Sequence, residues 1–402
     1  MPLNRRGLLA AALAPFGARA QTSAPLRIGV LTDLSGQYRD NSGPTSVLAA
    51  RQAVEDFRPD RHGFAVEILA ADHQQKPDVG AAIARAWFDR DGVSAVADVN
   101  NTAIALAVRT QAIEKDRALL ITGAASADLS GKSCSTNQVH WAPDTWGNAH
   151  STGEALLRAG RKSFFLVVAD YIFGHTLERE VAALVQAGGG TVLGSVAYPF
   201  PGTTDFSSFL LQAQASGADV VAFCNTGGDM ENAVKQAAEF GLSRGGRAVA
   251  PMFGFINDMR AVGLQTGQGL FLTETFYWDL NDRTRAFTRR FLPRTPDNYP
   301  SSLHASCYSA VTHYLKAIAA GASRTSGRAA IAAMKAMPTD DDCFGPASIR
   351  ADGRFLCATH LFQVKAPSDS TGPWDIFRLV SSTPGDRAFR PLAAGGCTME
   401  PA

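Results

Sequence analysis

From residue 26 onward, short apolar runs alternate with stretches whose apolar positions recur every three or four residues. The runs begin near Leu26, Phe64, Val93 and Leu119, and again near Phe164, Val192, Val220, Val249 and Leu270. Between them, Val47, Ala50, Val54 and Phe57 share one helical face. So do Leu177, Val181, Leu184 and Val185, and then Met230, Val234, Ala237 and Ala238. Strand–helix units in alternation predict an α/β protein whose parallel sheets carry helices on both faces.

The rhythm breaks between Ser126 and Ser163, where a loop with Gly131-Lys132-Ser133-Cys134 leads to Trp141 and a helix from about Thr145. A crossing between lobes is expected near Pro143. Beyond Leu272 the order changes to an aromatic loop, helices over 282–292, 303–320 and 326–336, and a hairpin. The simplest architecture is two doubly wound parallel-sheet lobes joined by a multi-crossing hinge, with a cleft between them. Residues 26–143 and 275–355 are assigned to the first lobe, and 144–274 and 356–402 to the second.

Residues 1–20 stand apart. Arg5 and Arg6 precede an apolar run from Gly7 to Phe16 and an Ala18-Arg19-Ala20 end, the layout of a secretory signal peptide. Its arginine pair resembles a twin-arginine signal and also fits the general secretory route. The run is too short for a membrane span, which needs about 20 residues. The whole chain has 38 Lys+Arg against 37 Asp+Glu, a net charge of +1. Without the three arginines of that segment the balance is −2, which argues against a nucleic-acid partner.

Export makes the six cysteines candidates for disulfides. Cys343 and Cys357 flank the turn-rich hairpin and are placed to face each other across it; Cys134 and Cys397 lie in polar segments suited to a long-range pair. Cys224 and Cys307 fall in apolar patterns and are expected as buried thiols. No cysteine or histidine spacing fits a metal site, so neither a metal nor a cofactor is expected.

Open parallel sheets bind ligands beyond the carboxyl ends of their strands, where helix N-termini present free N–H groups. The residues in those positions are Leu34-Ser35-Gly36 with Tyr38; Asn100-Asn101-Thr102; Gly123 to Ser126; Asp170 to Gly174; Asn225 to Gly228; Phe255-Ile256-Asn257; and Phe276-Tyr277-Trp278. Any one polar residue here also suits a helix N-cap. Enzyme signatures are missing: Gly131-Lys132-Ser133 lacks the first glycine of a phosphate loop, since position 126 is serine, and no nucleophile elbow or zinc motif occurs. Asp340-Asp341-Asp342 reads as a solvated loop.

With those residues in view, the chain resembles the type I periplasmic solute-binding proteins of ABC importers, in particular the branched-chain amino acid receptors. The resemblance is carried by Ile28-Gly29-Val30-Leu31 leading to Leu34-Ser35-Gly36-x-Tyr38, by Gly123-Ala124-Ala125-Ser126 and by Asp170-x-x-Phe173-Gly174. Asp219-Val220-Val221 and Ala305-x-x-Tyr308-Ser309-Ala310-Val311 complete it. It implies a monomeric, non-enzymatic periplasmic receptor that closes on a small solute and delivers it to permease subunits in the inner membrane. It also implies a carboxylate held by Asn101 or Thr102 and by Ala124 and Ser126, with Phe173 and Tyr308 as further site aromatics; the strand-end positions add Tyr38, Thr226, Gly228, Ile256 and Tyr277 as candidates around it.

Two departures follow. The family's acid for a ligand ammonium falls on Ile256, leaving Asp258 or Asp229 as substitutes, and Gly227-Gly228 replaces an aromatic. An unpaired buried ammonium costs several kcal/mol, on the order of other unmatched buried charges. The expected solute is therefore a carboxylate without an α-amino group, an aromatic acid or a short oxo- or hydroxy-acid, lined by Phe255, Phe276, Tyr277 and Trp278. A branched-chain or other amino acid is the alternative solute; a sensor for a membrane receptor and a secreted enzyme are the alternatives of another class.

Overall fold

Strands buried on both faces separate their alternate side chains into two cores, and the computed structural model, which describes residues 24–243 and 245–399, shows this in both lobes. The signal-peptide reading of residues 1–20 lies outside the described residues. The first sheet contains β1 (Leu26–Thr32), β2 (Val66–Asp72), β3 (Val93–Asp98), β4 (Ala118–Ile121) and β5 (Gln138–His140). Its order is β2-β1-β3-β4-β5, with every pair parallel. Ile28, Val30, Ala118 and Leu120 face one core, while Leu31, Leu119 and Ile121 face the other. Strand β5 was not anticipated. It is three residues long and polar at both ends, so it carries no strand pattern.

Helices α1 (Gly43–Phe57), α2 (Pro77–Asp89) and α3 (Thr102–Glu114) follow the first three strands, and α4 (Thr145–Arg158) opens the second lobe. The second sheet contains β6 (Ser163–Ala169), β7 (Thr191–Tyr198), β8 (Val220–Cys224) and β9 (Ala248–Pro251) in the order β7-β6-β8-β9, again parallel. Phe165, Val167 and Ala169 pack in one core and Phe164, Leu166 and Val168 in the other. Between and after these strands come α5 (Ile172–Ala187), α6 (Ser207–Ala215), α7 (Gly228–Glu239), α8 (Ile256–Val262) and α9 (Leu264–Gly267). The fold is thus two doubly wound α/β lobes, as the pattern predicts.

Strand β10 (Phe271–Glu274) leads back to the first lobe, where α10 (Asp282–Phe291), α11 (Ser302–Ala319) and α12 (Gly327–Ala336) form. Helix α11 begins where Ser301 caps the N–H groups of Leu303 and His304, and it packs along α1 with residues buried on nearly every side. The hairpin is β11 (Ser348–Ile349) with β12 (Phe355–Leu356). Then β13 (Thr359–Val364) and β14 (Phe377–Thr383) join β10 in an antiparallel sheet, in the order β10-β13-β14. The run near Leu270 is its first strand; β13 and β14, beyond the hairpin, are not among the strands the sequence pattern predicts.

The crossings are pinned by a buried arginine. Arg354 is 0% exposed; its guanidinium donates to the carbonyls of Trp141, Ala142 and Phe355 and lies 3.5 Å from the Asp144 carboxylate. Asp144 in turn caps α4 through the N–H of Gly147 at 2.9 Å.

Cys134 and Cys397 are joined, while Cys224 and Cys307 are buried free thiols. Cys343 and Cys357 are also free, contrary to the expectation for the hairpin. Ser348 pairs with Leu356, so Cys357 comes level with Ala347, while Cys343 sits in a turn closed by Asp341, which accepts the Cys343 and Phe344 N–H groups. After β14 the tail returns to the first lobe, and Ala388 and Phe389 enter its core rather than the second lobe's.

Candidate functional site

The carboxyl ends of both sheets face each other across a cleft, which narrows to a small cavity of about 20 Å³. From the first lobe it is lined by Tyr38, Asn41, Asn100, Asn101, Thr102, Gly123, Ala124 and Ala125. The second lobe adds Tyr171, Phe173, Thr226, Phe253 and Phe255, and Leu303 comes from the first turn of α11.

Each wall has a local cause. After β3 the chain reverses through two left-handed residues, Asp98 at φ 75° and Val99 at φ 57°. This strained turn, unusual for a β-branched residue, delivers Asn100 and Asn101 to the start of α3. Asn101 spends its carbonyl oxygen capping the N–H groups of Ala103 and Ile104 and its amide on Gln75. The N–H of Thr102, first in the helix, has no intrahelical acceptor and points out at the positive end of the dipole. Asn100 accepts from the Asp33 N–H at 3.1 Å and pairs with His73 Nε2 at 2.6 Å. The Gln75 N–H donates to His73 Nδ1 at 3.2 Å, which leaves Nε2–H to donate to Asn100, and burial lowers the His73 pKa. The Asn100 amide Nδ2 and the Thr102 hydroxyl remain buried without a partner.

The Asp33 carboxylate shapes the adjoining loop by accepting the N–H groups of Gly36 at 2.7 Å and Tyr38 at 3.1 Å. That loop carries Tyr38 to the second lobe, where its hydroxyl lies 2.7 Å from the Tyr171 hydroxyl. Tyr171 stacks on Phe200 at 4.0 Å between ring centres. Phe173 reaches the cavity because α5 starts almost on top of β6. A side chain on Gly174 would come within 2.0 Å of the Ala169 carbonyl, so only glycine permits the turn.

Tyr38, Asn101, Thr102, Ala124, Phe173 and Thr226, all singled out in the sequence, thus come together around one cavity. Five others do not line it. The Ser126 hydroxyl donates to Thr176 of α5 at 3.1 Å and accepts the Asp128 N–H, bridging the lobes as a cap. Gly228 gives its N–H to the Gln37 carbonyl at 3.2 Å. The neighbouring Gly227, at φ 63°, has Gln37 and Tyr38 against it, so the room left by the absent aromatic is filled by the first lobe.

Ile256 packs in a second-lobe core and gives its N–H to Glu274 at 2.7 Å. Tyr277 is buried against Phe362 and Phe377, with its hydroxyl toward the Trp374 carbonyl. Tyr308 faces α1, where its hydroxyl donates to Asp56 at 2.9 Å. Of the expected aromatic lining only Phe255 reaches the cavity; Phe276 packs against Phe287, and Trp278 donates to the Trp374 carbonyl. These side chains follow the crossing after β10, which turns them into the cores.

Asn41, Phe253 and Leu303 escaped the sequence reading. Asn41 precedes a helix by two residues and Phe253 follows a strand, a signal that was present; Leu303 is brought in by α11 alone. The two substitute acids are occupied. Asp229 accepts from the Tyr198 hydroxyl at 2.8 Å, and burial raises its pKa to about 7. Asp258 caps the Phe255 N–H at 2.9 Å; burial and the neighbouring Glu231 and Glu274 raise it well above the usual carboxylate range. Among the described residues no cluster of His, Cys, Asp and Glu is suited to a metal, and no helix is long and apolar enough to cross a membrane.

The family model described as periplasmic binding protein matches residues 25–372. No curated protein matches the chain. Among solved structures, a periplasmic binding protein from Burkholderia mallei is 40% identical with a TM-score of 0.90, over 93% of this chain and 98% of that one. A branched-chain amino acid ABC transporter periplasmic ligand-binding protein from Burkholderia xenovorans is 36% identical with a TM-score of 0.82, over 93% and 99%. A Rhodopseudomonas palustris ABC-transporter solute-binding protein in complex with benzoate shares the fold at 19% identity, with a TM-score of 0.80 over 93% and 100%. With two doubly wound lobes closing on one cavity and a family match across most of its length, the chain belongs to the periplasmic binding proteins, the solute-binding components of ABC transporters, and has their type I fold.

Proposed function

We propose that this protein, exported to the periplasm, captures a small carboxylate without an α-amino group and presents it to the permease subunits of an ABC importer. The observation that carries the reading is the lining of the cavity. It offers hydroxyl and amide donors and a helix N-terminus, but no charged side chain. A carboxylate gains charge-assisted hydrogen bonds from the Thr102 N–H and hydroxyl and the Asn100 amide. An ammonium would find no carboxylate partner among the lining residues, since Asp229 and Asp258 are committed elsewhere. The benzoate carried by the Rhodopseudomonas protein is a solute of this class.

A calorimetric and thermal-shift panel tests the reading, because a ligand that binds only the folded state raises its melting temperature. Benzoates and short oxo- or hydroxy-acids are expected to bind. Binding of leucine or valine with no response to those acids overturns the reading and makes this an amino acid receptor.

A further inference from the structure

Asn41 is 2% exposed, and its backbone is fixed because its carbonyl accepts the Ser301 hydroxyl at 2.8 Å. Its side chain divides between two surroundings. Nδ2 faces the Asp258 carboxyl of the second lobe at 3.4 Å, whereas Oδ1, also buried, has no hydrogen-bond partner and belongs to a residue that lines the cavity. The other Asp258 oxygen is held by the Phe255 N–H at 2.9 Å, so its Oδ1 is the one turned to Asn41. The remaining unpartnered polar groups of the lining are the Asn100 amide donor and the hydroxyls of Thr102 and Thr226. Asn41 Oδ1 is therefore the one pure acceptor among them. A carboxylate, itself an acceptor, cannot satisfy it.

We propose that Asn41 is a specificity-determining residue that selects a solute carrying a hydroxyl in addition to its carboxylate. This rests on the carboxylate reading above. The donors at Asn100 and Thr102 take the carboxylate, and Asn41 Oδ1 accepts the proton of the hydroxyl. A buried site built to hydrogen-bond a hydroxyl rejects analogues that lack it, because its acceptor is then left dry and unpaired. A fluorine or hydrogen in the same place offers no proton.

The test is calorimetry of the whole mature protein with matched pairs of acids. The pairs are the 2-, 3- and 4-hydroxybenzoates against the corresponding fluorobenzoates, and 2-hydroxy-4-methylpentanoate against 4-methylpentanoate. At least one hydroxy acid is expected to bind about tenfold or more tightly than its partner. In Asn41→Leu the members of that pair are expected to converge in affinity. The pairwise comparison in the unaltered protein needs no variant, so misfolding of Asn41→Leu leaves the test intact. If the acids bind and no hydroxyl is preferred, the inference fails while the carboxylate reading stands. If no carboxylate binds at all, both fall.

Discussion

Replacing Glu274 with glutamine probes the clasp that joins the two lobes. Its side chain is 0% exposed at the end of β10, where Oε1 accepts the Ile256 N–H of the second lobe at 2.7 Å. Oε2 accepts the Ser302 hydroxyl, at the start of α11 in the first lobe, at 2.6 Å. Burial raises its pKa from 4.5 to about 8, against the pull of those hydrogen bonds. The native protein thus keeps a proton that the unfolded chain releases above about pH 4.5. The stability contributed by this group is fully present below that pH and is lost as pH rises toward 8. A pKa difference of this size corresponds to at most about 5 kcal/mol across the interval, at about 1.4 kcal/mol per unit.

Glutamine cannot ionise, so Glu274→Gln removes that slope. Its amide can donate to Ser302, whose hydroxyl then turns to the Phe276 carbonyl, 3.3 Å away. The acceptor for Ile256 or Ser302 is weakened, at a cost of about 1 kcal/mol. The variant is therefore expected to be slightly less stable than the parent at pH 5 and more stable at pH 8. Urea unfolding at pH 5, 6, 7 and 8 measures this. Asp98, Asp229 and Glu231 have similarly raised pKa values, but they are present in both proteins and cancel in the difference. A constant difference between the two proteins from pH 5 to 8 would refute the argument.

Tyr171→Phe removes one hydroxyl from the Tyr38–Tyr171 pair that spans the cleft and leaves the stack on Phe200. Solute affinity is expected to fall about 3- to 10-fold, the worth of one hydrogen bond made on closure, and calorimetry giving an unchanged constant would remove this pair from closure. Arg354→Met strands the Asp144 carboxylate and three backbone carbonyls at the crossings. Urea unfolding is expected to show a loss of about 3–5 kcal/mol, as for other broken buried pairs; a loss under about 1 kcal/mol would mean that the crossings do not depend on it.

Much of the scaffold was legible along the chain because it depends on local periodicity. Strands such as Phe164 to Ala169 are apolar at every position since both faces are covered, and helices such as α11 announce their starts with a capping serine. The first-lobe site was legible for a similar reason. Asn101 and Thr102 must follow β3 wherever the strand goes, and a residue at a helix start is at a strand end by construction. What the sequence could not separate was cap from ligand group. Asn101 and Ser126 have the chemistry for either, and the partners that occupy them, Gln75 and Thr176, are distant in sequence.

The sequence by itself determined the fold class, the family and the strand ends at which a solute can sit, because these follow from near-neighbour pattern and short motifs. Only the tertiary structure decided which of those ends share the cavity. Three crossings and a returning tail bring Leu303 to the cleft and turn Ile256, Tyr277 and Tyr308 into the cores. They also join Cys134 to Cys397 while leaving Cys343 and Cys357 as free thiols. Each of these outcomes depends on the packing of segments far apart in the chain, and that packing is set by the burial of whole faces, which no short stretch of residues contains.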